Sequence, residues 1–300
     1  MNAASPAAPA AGRPFGALGV LWRFSRPHTL VGTTLSILGI AAIVGVESPG
    51  QLLLTLFAGA TVNLFIVGIN QVEDVEIDRI NKPHLPIPAG ELSLGRAKAI
   101  VAFCAAAPLA VALASGVVET VAVGVALAVG AAYSSPPLRL KRFPVVAVGC
   151  ISLVRALVVN LGVALHLSDS VPASVWALTL FVVPFSFAIA VLKDVPDAEG
   201  DRRHRILTFT VRLGPERVLA MGMAALTLGY VGMATLGALL VEEADPTVMV
   251  VGHLALLAVL WRLRAGVDTG DRGAFTAFYM KVWGLFFAEY LLVPAAVLLG

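Results

Sequence analysis

The chain has 300 residues, 58% of them hydrophobic and 13% charged, with a mean hydropathy of +0.89. Soluble domains carry about a quarter charged residues, so this composition excludes a water-soluble globular protein and points to a polytopic membrane protein. The net charge of +2 predicts no nucleic-acid partner. Two cysteines, both in apolar segments, provide neither a disulfide framework nor metal-ligand spacing.

Residues 1–15, MNAASPAAPAAGRPF, are rich in Ala and Pro and lack the apolar core of a secretory signal; a disordered tail is expected, with one domain over 16–300. Arg outnumbers Lys sixteen to five, and Ala, Val and Gly abound, a composition typical of a GC-rich bacterial genome. At about 20 residues per crossing, nine apolar stretches predict spans near 28–47, 51–72, 96–115, 117–134, 145–167, 172–193, 215–240, 246–264 and 274–299. All but two of the 21 basic residues fall in one alternating set of connections; the opposite set carries Glu47, Glu119, Asp169, Glu242, Glu243 and Asp245. The positive-inside rule then places the N-terminus and every basic loop in the cytoplasm. The two exceptions, Arg155 and Lys281, join Glu289 inside spans. A charge at membrane depth is costly unless paired or wet. Lys281 and Glu289 suit a structural pair or a snorkelling side chain, whereas Arg155 suits a cavity wall.

The second span ends in NQVEDVEIDRINKP. Asn70, Asp74 and Asp78 recur every four residues and share one helical stripe, with Asn63 close to it. Carboxylates and an amide oxygen in a row suit a hard cation such as Mg²⁺. The sixth span ends in KDVPDAEGDRRHR, where Asp194, Asp197 and Asp201 would share a second helical face, although Pro196 and Gly200 interrupt regular helix. Two such rows on one side of the membrane would repel each other; divalent cations between them remove that repulsion and can bridge a diphosphate. Between the fourth and fifth spans, YSSPPLRLKRFP supplies Tyr133 at a helix end and then Arg139, Lys141 and Arg142, cationic donors for phosphate oxygens.

These stretches, with RFSRPHTLVGTTLSI and VRALVVNLGVALH, resemble the UbiA superfamily of intramembrane prenyltransferases, and within it the homogentisate prenyltransferase (phytyl/solanesyl transferase) branch. The likeness runs in order from residue 23 to residue 214; the last three spans match only in being apolar. It implies an all-α fold of nine transmembrane helices around a central cavity, open sideways to membrane lipid and capped on the cytoplasmic side. It implies Mg²⁺-dependent transfer of an isoprenoid from a prenyl diphosphate to a phenolic acid, homogentisate or 4-hydroxybenzoate, in a bacterial plasma membrane. Asn70, Asp74 and Asp78 would form one metal site and Asp194, Asp197 and Asp201 the other, with Asp74, Asp78, Asp197 and Asp201 central to catalysis. Lys141, Arg142 and Arg139 would hold the diphosphate with Lys193 and Arg79. Arg26 would anchor the acceptor carboxylate, and Asn63, Tyr133, Arg155 and Asn160 would complete its pocket; His28 and His166 are further buried polar groups that could face the cavity, although a lone histidine such as His166 is more often a satisfied structural residue. With homogentisate, decarboxylation would accompany transfer.

A terpene cyclase of the same fold would keep both acidic rows but would not need acceptor anchors. An ion-coupled carrier would place its charges at mid-span rather than at helix ends. A phosphatidyl transferase would carry one continuous acidic run, which this sequence lacks.

Overall fold

The computed structural model describes residues 16–300; the expected tail at 1–15 lies outside them. Among the described residues the secondary structure is entirely helical. A short α1 (Gly16–Phe24) precedes α2 (Pro27–Val44) and α3 (Pro49–Glu73). A short α4 (Val75–Asn81) and a loop lead to α5 (Leu94–Ser115), α6 (Val117–Ser134), α7 (Pro144–Ser168) and α8 (Ala173–Leu192). The short α9 (Ala198–Arg203) and α10 (Phe209–Leu213) precede α11 (Pro215–Leu240), α12 (Pro246–Arg264) and α13 (Arg272–Leu299). Among the described residues nine of these helices are long and apolar enough to cross a membrane, and they coincide with the nine expected spans.

Local chemistry sets the helix ends. Pro occupies the first turn of α2, α3, α7, α11 and α12, where its missing N–H costs nothing. Asp245 accepts from the Val248 N–H at 2.9 Å, and Asp271 accepts from Gly273 and Ala274 at 2.7 and 3.0 Å, capping α12 and α13. The close break between α5 and α6 depends on Gly116, whose φ of 134° is out of reach for most L side chains.

The helices form a ring in which the last closes on the first. α13 packs along α2, where a Cβ at Gly39 would lie 2.8 Å from the Tyr290 carbonyl oxygen. Helix pairs α3–α5, α8–α11 and α2–α7 complete the contacts. Ser, Thr and Gly at these seams let backbones approach, which matters because lipid offers no hydrophobic drive to associate.

Of the two readings for Lys281 and Glu289, a mutual pair or a snorkelling side chain, the mutual pair does not form. Lys281 is exposed, and Glu289 meets His253 at 3.0 Å, both fully buried between α12 and α13. Glu289 and Lys281 are eight residues apart on one helix, too far for a direct contact, whereas a neighbouring helix brings His253 within reach. Breaking a buried pair leaves one polar group stranded. His253→Leu is therefore expected to lower stability by about 3 kcal/mol, and adding Glu289→Leu to recover most of it. Thermal unfolding in detergent checks this; an unchanged transition in the single variant would show that the pair does not hold the helices together.

Candidate active site

The two acidic rows meet at one end of the bundle. α3 stops at Glu73 and α4 begins at Val75, so the first row is not carried by one unbroken helix as its spacing suggested. The ladder nevertheless continues across the break: the Asp74 N–H donates to the Asn70 carbonyl at 3.0 Å and the Asp78 N–H to the Asp74 carbonyl at 2.8 Å. Asn70, Asp74 and Asp78 stay on one stripe, and all three line a cavity of about 780 Å³. The second row falls on turns after α8 and on α9, and Asp194, Asp197 and Asp201 line the same cavity.

Lys82 joins the rows. Its ammonium pairs with Asp197 and lies 3.9 Å from Asp78. Below it, the Asn81 side chain accepts the Gly200 N–H at 2.9 Å, while the Asn81 carbonyl accepts from Arg272 at the start of α13. A Cβ on Gly200 would lie 2.5 Å from that amide, so a side chain there would force the Asn81 side chain or α9 to shift. The sequence marked Lys82 and Arg272 only as loop charges among many, and Asn81 carried no signal.

Cations surround the remaining carboxylates. Asp74 is held by Lys141, by Arg139 at 2.9 Å and by the Asn70 amide at 3.0 Å. Lys193 pairs with Asp194 at 2.7 Å and lies beside Tyr133. Burial acts against the Lys193 charge, but Asp194 and Asp197 outweigh it and raise its pKa well above the ordinary lysine value. Burial lowers that of Lys141, opposed by Asp74. Burial also raises the Asp78 carboxyl against the pull of Lys82. Asp201 is pushed up to about 7, first by burial and then by Asp194 and Asp197.

Among the described residues no three His, Cys, Asp or Glu side chains close into a ready-made metal cage. The donor set still fits a hard cation: Asn70 and the five aspartates at the mouth offer oxygen atoms, and Asp78 Oδ2 is buried without a partner. Mg²⁺ is typically held by one or two carboxylates together with substrate phosphates.

Deeper in the membrane the walls become apolar and aromatic. Arg155, on a π-helical turn of α7 (Leu153–Val158), lays its guanidinium 4.7 Å from the Trp283 ring centre and 5.3 Å from that of Phe286. Its Nε has no hydrogen-bond partner, and among the described residues no carboxylate pairs with it. Arg26 lies at the N-cap of α2 with φ 50° and ψ 80°, a left-handed backbone uncommon for arginine, and its buried Nε is also unpartnered. His28 packs edge-on against Trp283 at 4.9 Å near both arginines. Asn63 and Tyr133 face the same cavity.

Four expected residues lie elsewhere, and a fifth, His166, leaves with them. Arg142 is exposed with its guanidinium over Phe143, 4.9 Å from the ring centre; it follows Lys141 in a 3₁₀ turn, where successive side chains diverge by about 120°. Arg79 points outward to Glu76 at 2.6 Å with 58% of its side chain exposed. Arg139 does not line the cavity wall and reaches it only through Asp74. Asn160 is fully buried and accepts the Tyr290 hydroxyl at 2.7 Å, which turns it away from the cavity. His166 meets Glu119 at 2.6 Å, outside the main cavity.

This is a membrane-embedded cavity with an acidic, cation-studded mouth and an apolar, arginine-bearing interior, as an enzyme uniting an anionic leaving group with a greasy substrate requires. The model of the UbiA prenyltransferase family matches residues 30–285. Homogentisate phytyltransferase of Synechocystis sp. is 42% identical over 92% of this chain and 94% of its own length; homogentisate phytyltransferase 1 of Arabidopsis thaliana is 38% identical over 92% and 75%. A solved UbiA homologue of Archaeoglobus fulgidus bound to GPP and Mg²⁺ has a TM-score of 0.67 at 22% identity, covering 92% of this chain and 99% of that one. The chain belongs to the UbiA prenyltransferase family. It is a multi-pass membrane enzyme, an aromatic prenyltransferase.

Gly200→Val tests the docking of the two rows. The added branches would push α9 away from Asn81 and lower turnover more than about 100-fold, on the scale expected when reacting groups shift by about 1 Å. Wild-type turnover in this variant, measured in isolated membranes, would show that the Asn81 contact does not set the geometry.

Proposed function

We propose that the protein transfers a prenyl group from a prenyl diphosphate to a ring carbon of a phenolic acid of the homogentisate or 4-hydroxybenzoate type, with Mg²⁺ as cofactor. The observation that carries this reading is Arg155: a guanidinium held at membrane depth in the cavity wall, flanked by aromatic rings and lacking an acidic partner among the described residues. A buried cation without a counter-ion calls for an anionic ligand, and a terpene cyclase has no acceptor to supply one.

Asp74, Asp78, Asp197 and Asp201, with Asn70 and Asp194, would hold Mg²⁺ against the diphosphate. Bound there, the metal would supply Lewis-acid neutralisation of the leaving group. The chain's own cations add to that. Lys141 and Lys193 line the mouth and would donate to phosphate oxygens, as would Lys82 once turned from Asp197. As the allylic C–O bond breaks, its electron pair passes to the diphosphate, and fixed ammonium groups stabilise the charge that develops there. Arg155 and Arg26 bind the acceptor carboxylate and aim an electron-rich ring carbon at the allylic cation. That carbon donates the electron pair of the new C–C bond, and loss of its proton restores the aromatic ring. The aromatic lining excludes water, which would otherwise capture the cation. Among the described residues we assign no covalent nucleophile, because the allylic cation is attacked directly by the acceptor.

The basic connections lie at the aspartate end, so by the positive-inside rule the mouth opens to the cytoplasm. The prenyl tail enters from the lipid.

Membranes containing the protein, supplied with prenyl diphosphates of several lengths and with homogentisate or 4-hydroxybenzoate, are expected to yield a C-prenylated product only with Mg²⁺. Arg155→Gln is expected to raise the acceptor KM at least about tenfold while leaving the diphosphate KM near wild type, as loss of a charge-assisted hydrogen bond predicts. Turnover in EDTA would contradict the metal assignment, and an unchanged acceptor KM would contradict the role of Arg155.

A further inference from the structure

Attack by a ring carbon leaves that carbon bonded to both the new tail and its original hydrogen, so some group must take a proton before the ring is aromatic again. His28 stands where such a group is needed. It lies in the first turn of α2, two residues after Arg26 at the N-cap, and lines the cavity. One turn further on, Gly32 lets the α2 backbone come close to the Trp283 indole; a Cβ there would lie 3.1 Å from the ring. That approach brings the imidazole edge-on to Trp283, 4.9 Å between ring centres. The Arg155 guanidinium lies 4.7 Å from the centre of the same side chain's ring. Imidazole and guanidinium therefore meet at one indole, one carried by α2 and the other by α7.

The imidazole is also free to act. It is half-buried, and neither of its nitrogens has a hydrogen-bond partner among the described residues. The charged side chains that act on it are Arg26 and Arg155. Other polar groups on this part of the wall are poor proton acceptors. A guanidinium already carries its proton, the Asn63 amide is not a base, and the Tyr133 and Tyr279 phenols would first have to ionise, which free tyrosine does near pH 10. Free imidazole, with a pKa of about 6.5, is the side chain suited to taking a proton near neutral pH. The reacting carbon of a phenolic acid lies only a few bonds of about 1.5 Å from its carboxylate. An acid held by Arg155 therefore has its ring beside His28.

Resting on the reading of the main cavity as a site of prenyl transfer to a phenolic acid, we infer that His28 is the base that takes the ring proton after the new C–C bond has formed. A nitrogen lone pair of the imidazole takes the proton, and the electron pair of the broken C–H bond returns to the ring. The imidazolium then gives its proton to the departing diphosphate, which leaves with it. The acceptor carboxylate, bound between Arg155 and Arg26, offsets their charge while the imidazolium exists.

The test is turnover by the full chain in nanodiscs with Mg²⁺, a prenyl diphosphate and either homogentisate or 4-hydroxybenzoate, with hydrogen or deuterium on the acceptor ring. His28→Ala is expected to lower kcat about 100-fold, the lower end of what a general base contributes. Proton loss then becomes the slow step, so deuterium is expected to slow the variant by a larger ratio than it slows wild type. His28→Gln keeps polarity and bulk without the base and is expected to behave like His28→Ala. Free imidazole added to His28→Ala is expected to restore part of its turnover. Thermal unfolding and prenyl diphosphate binding are expected to match wild type in both variants. Wild-type kcat in either variant would overturn the inference and assign the proton to the diphosphate directly. A lowered kcat with an unchanged isotope ratio and no rescue by imidazole would also overturn it, because His28 would then only shape the pocket. Both of these outcomes spare the proposed function, whereas absence of transfer by wild type to either acid would remove that reading itself.

Discussion

The structure depends on bringing like charges together in a low-dielectric setting. Six donors from two distant stretches, 70–78 and 194–201, converge on one cavity mouth, and left bare the carboxylates would push α4 and α9 apart. Lys82 opposes that by pairing with Asp197 while lying near Asp78, and the Asn81 amide fastens the Gly200 backbone beside it. The raised pKa values at Asp78 and Asp201 come first from burial and then from the neighbouring carboxylates. The bundle seams hold the helices, but it is this knot of charges and one amide that turns two helix ends into a single site.

From that knot the cavity grades from charged to apolar, and each level has its chemistry. Ammonium groups crowd the mouth where a leaving group would gather charge. Arg155 and Arg26, with His28 and Trp283, form a middle belt in which a cation is tolerated because rings stack on it. Beyond the belt the walls are mainly apolar side chains and glycine, with Thr33 and Ser36 among them. On the proposed reading, polarity would sort the two substrates along one axis: phosphate outward, tail inward and acceptor between.

Much of this was legible in the sequence because it is local. Apolar runs marked the spans, since every backbone group in lipid must be satisfied within a helix. The four-residue spacing of Asn70, Asp74 and Asp78 predicted a shared stripe, and that survived a helix break because the hydrogen-bond ladder bridges it. What was hidden is set by long-range packing. Lys82 reads as an ordinary loop charge until α9 is folded beside it. Lys141 and Arg142 are neighbours of equal charge, and only the 3₁₀ turn decides that one enters and the other faces out. The resemblance of VRALVVNLG placed Asn160 in the acceptor pocket with Arg155, but Tyr290 on α13 claims it first. The last helix offered no motif, yet Tyr279 and Trp283 on it form part of the cavity wall.

That the two rows act as one site is best tested by a double-mutant cycle on prenyl diphosphate binding in the presence of Mg²⁺. Asp74→Ala, Asp197→Ala and the double variant would be compared with the parent chain. If both rows grip the same metal-bound diphosphate, each single change removes most of the affinity and the double variant loses little more, leaving a large coupling energy. Losses that simply add would mean two independent sites, and would contradict a single grip shared by both rows.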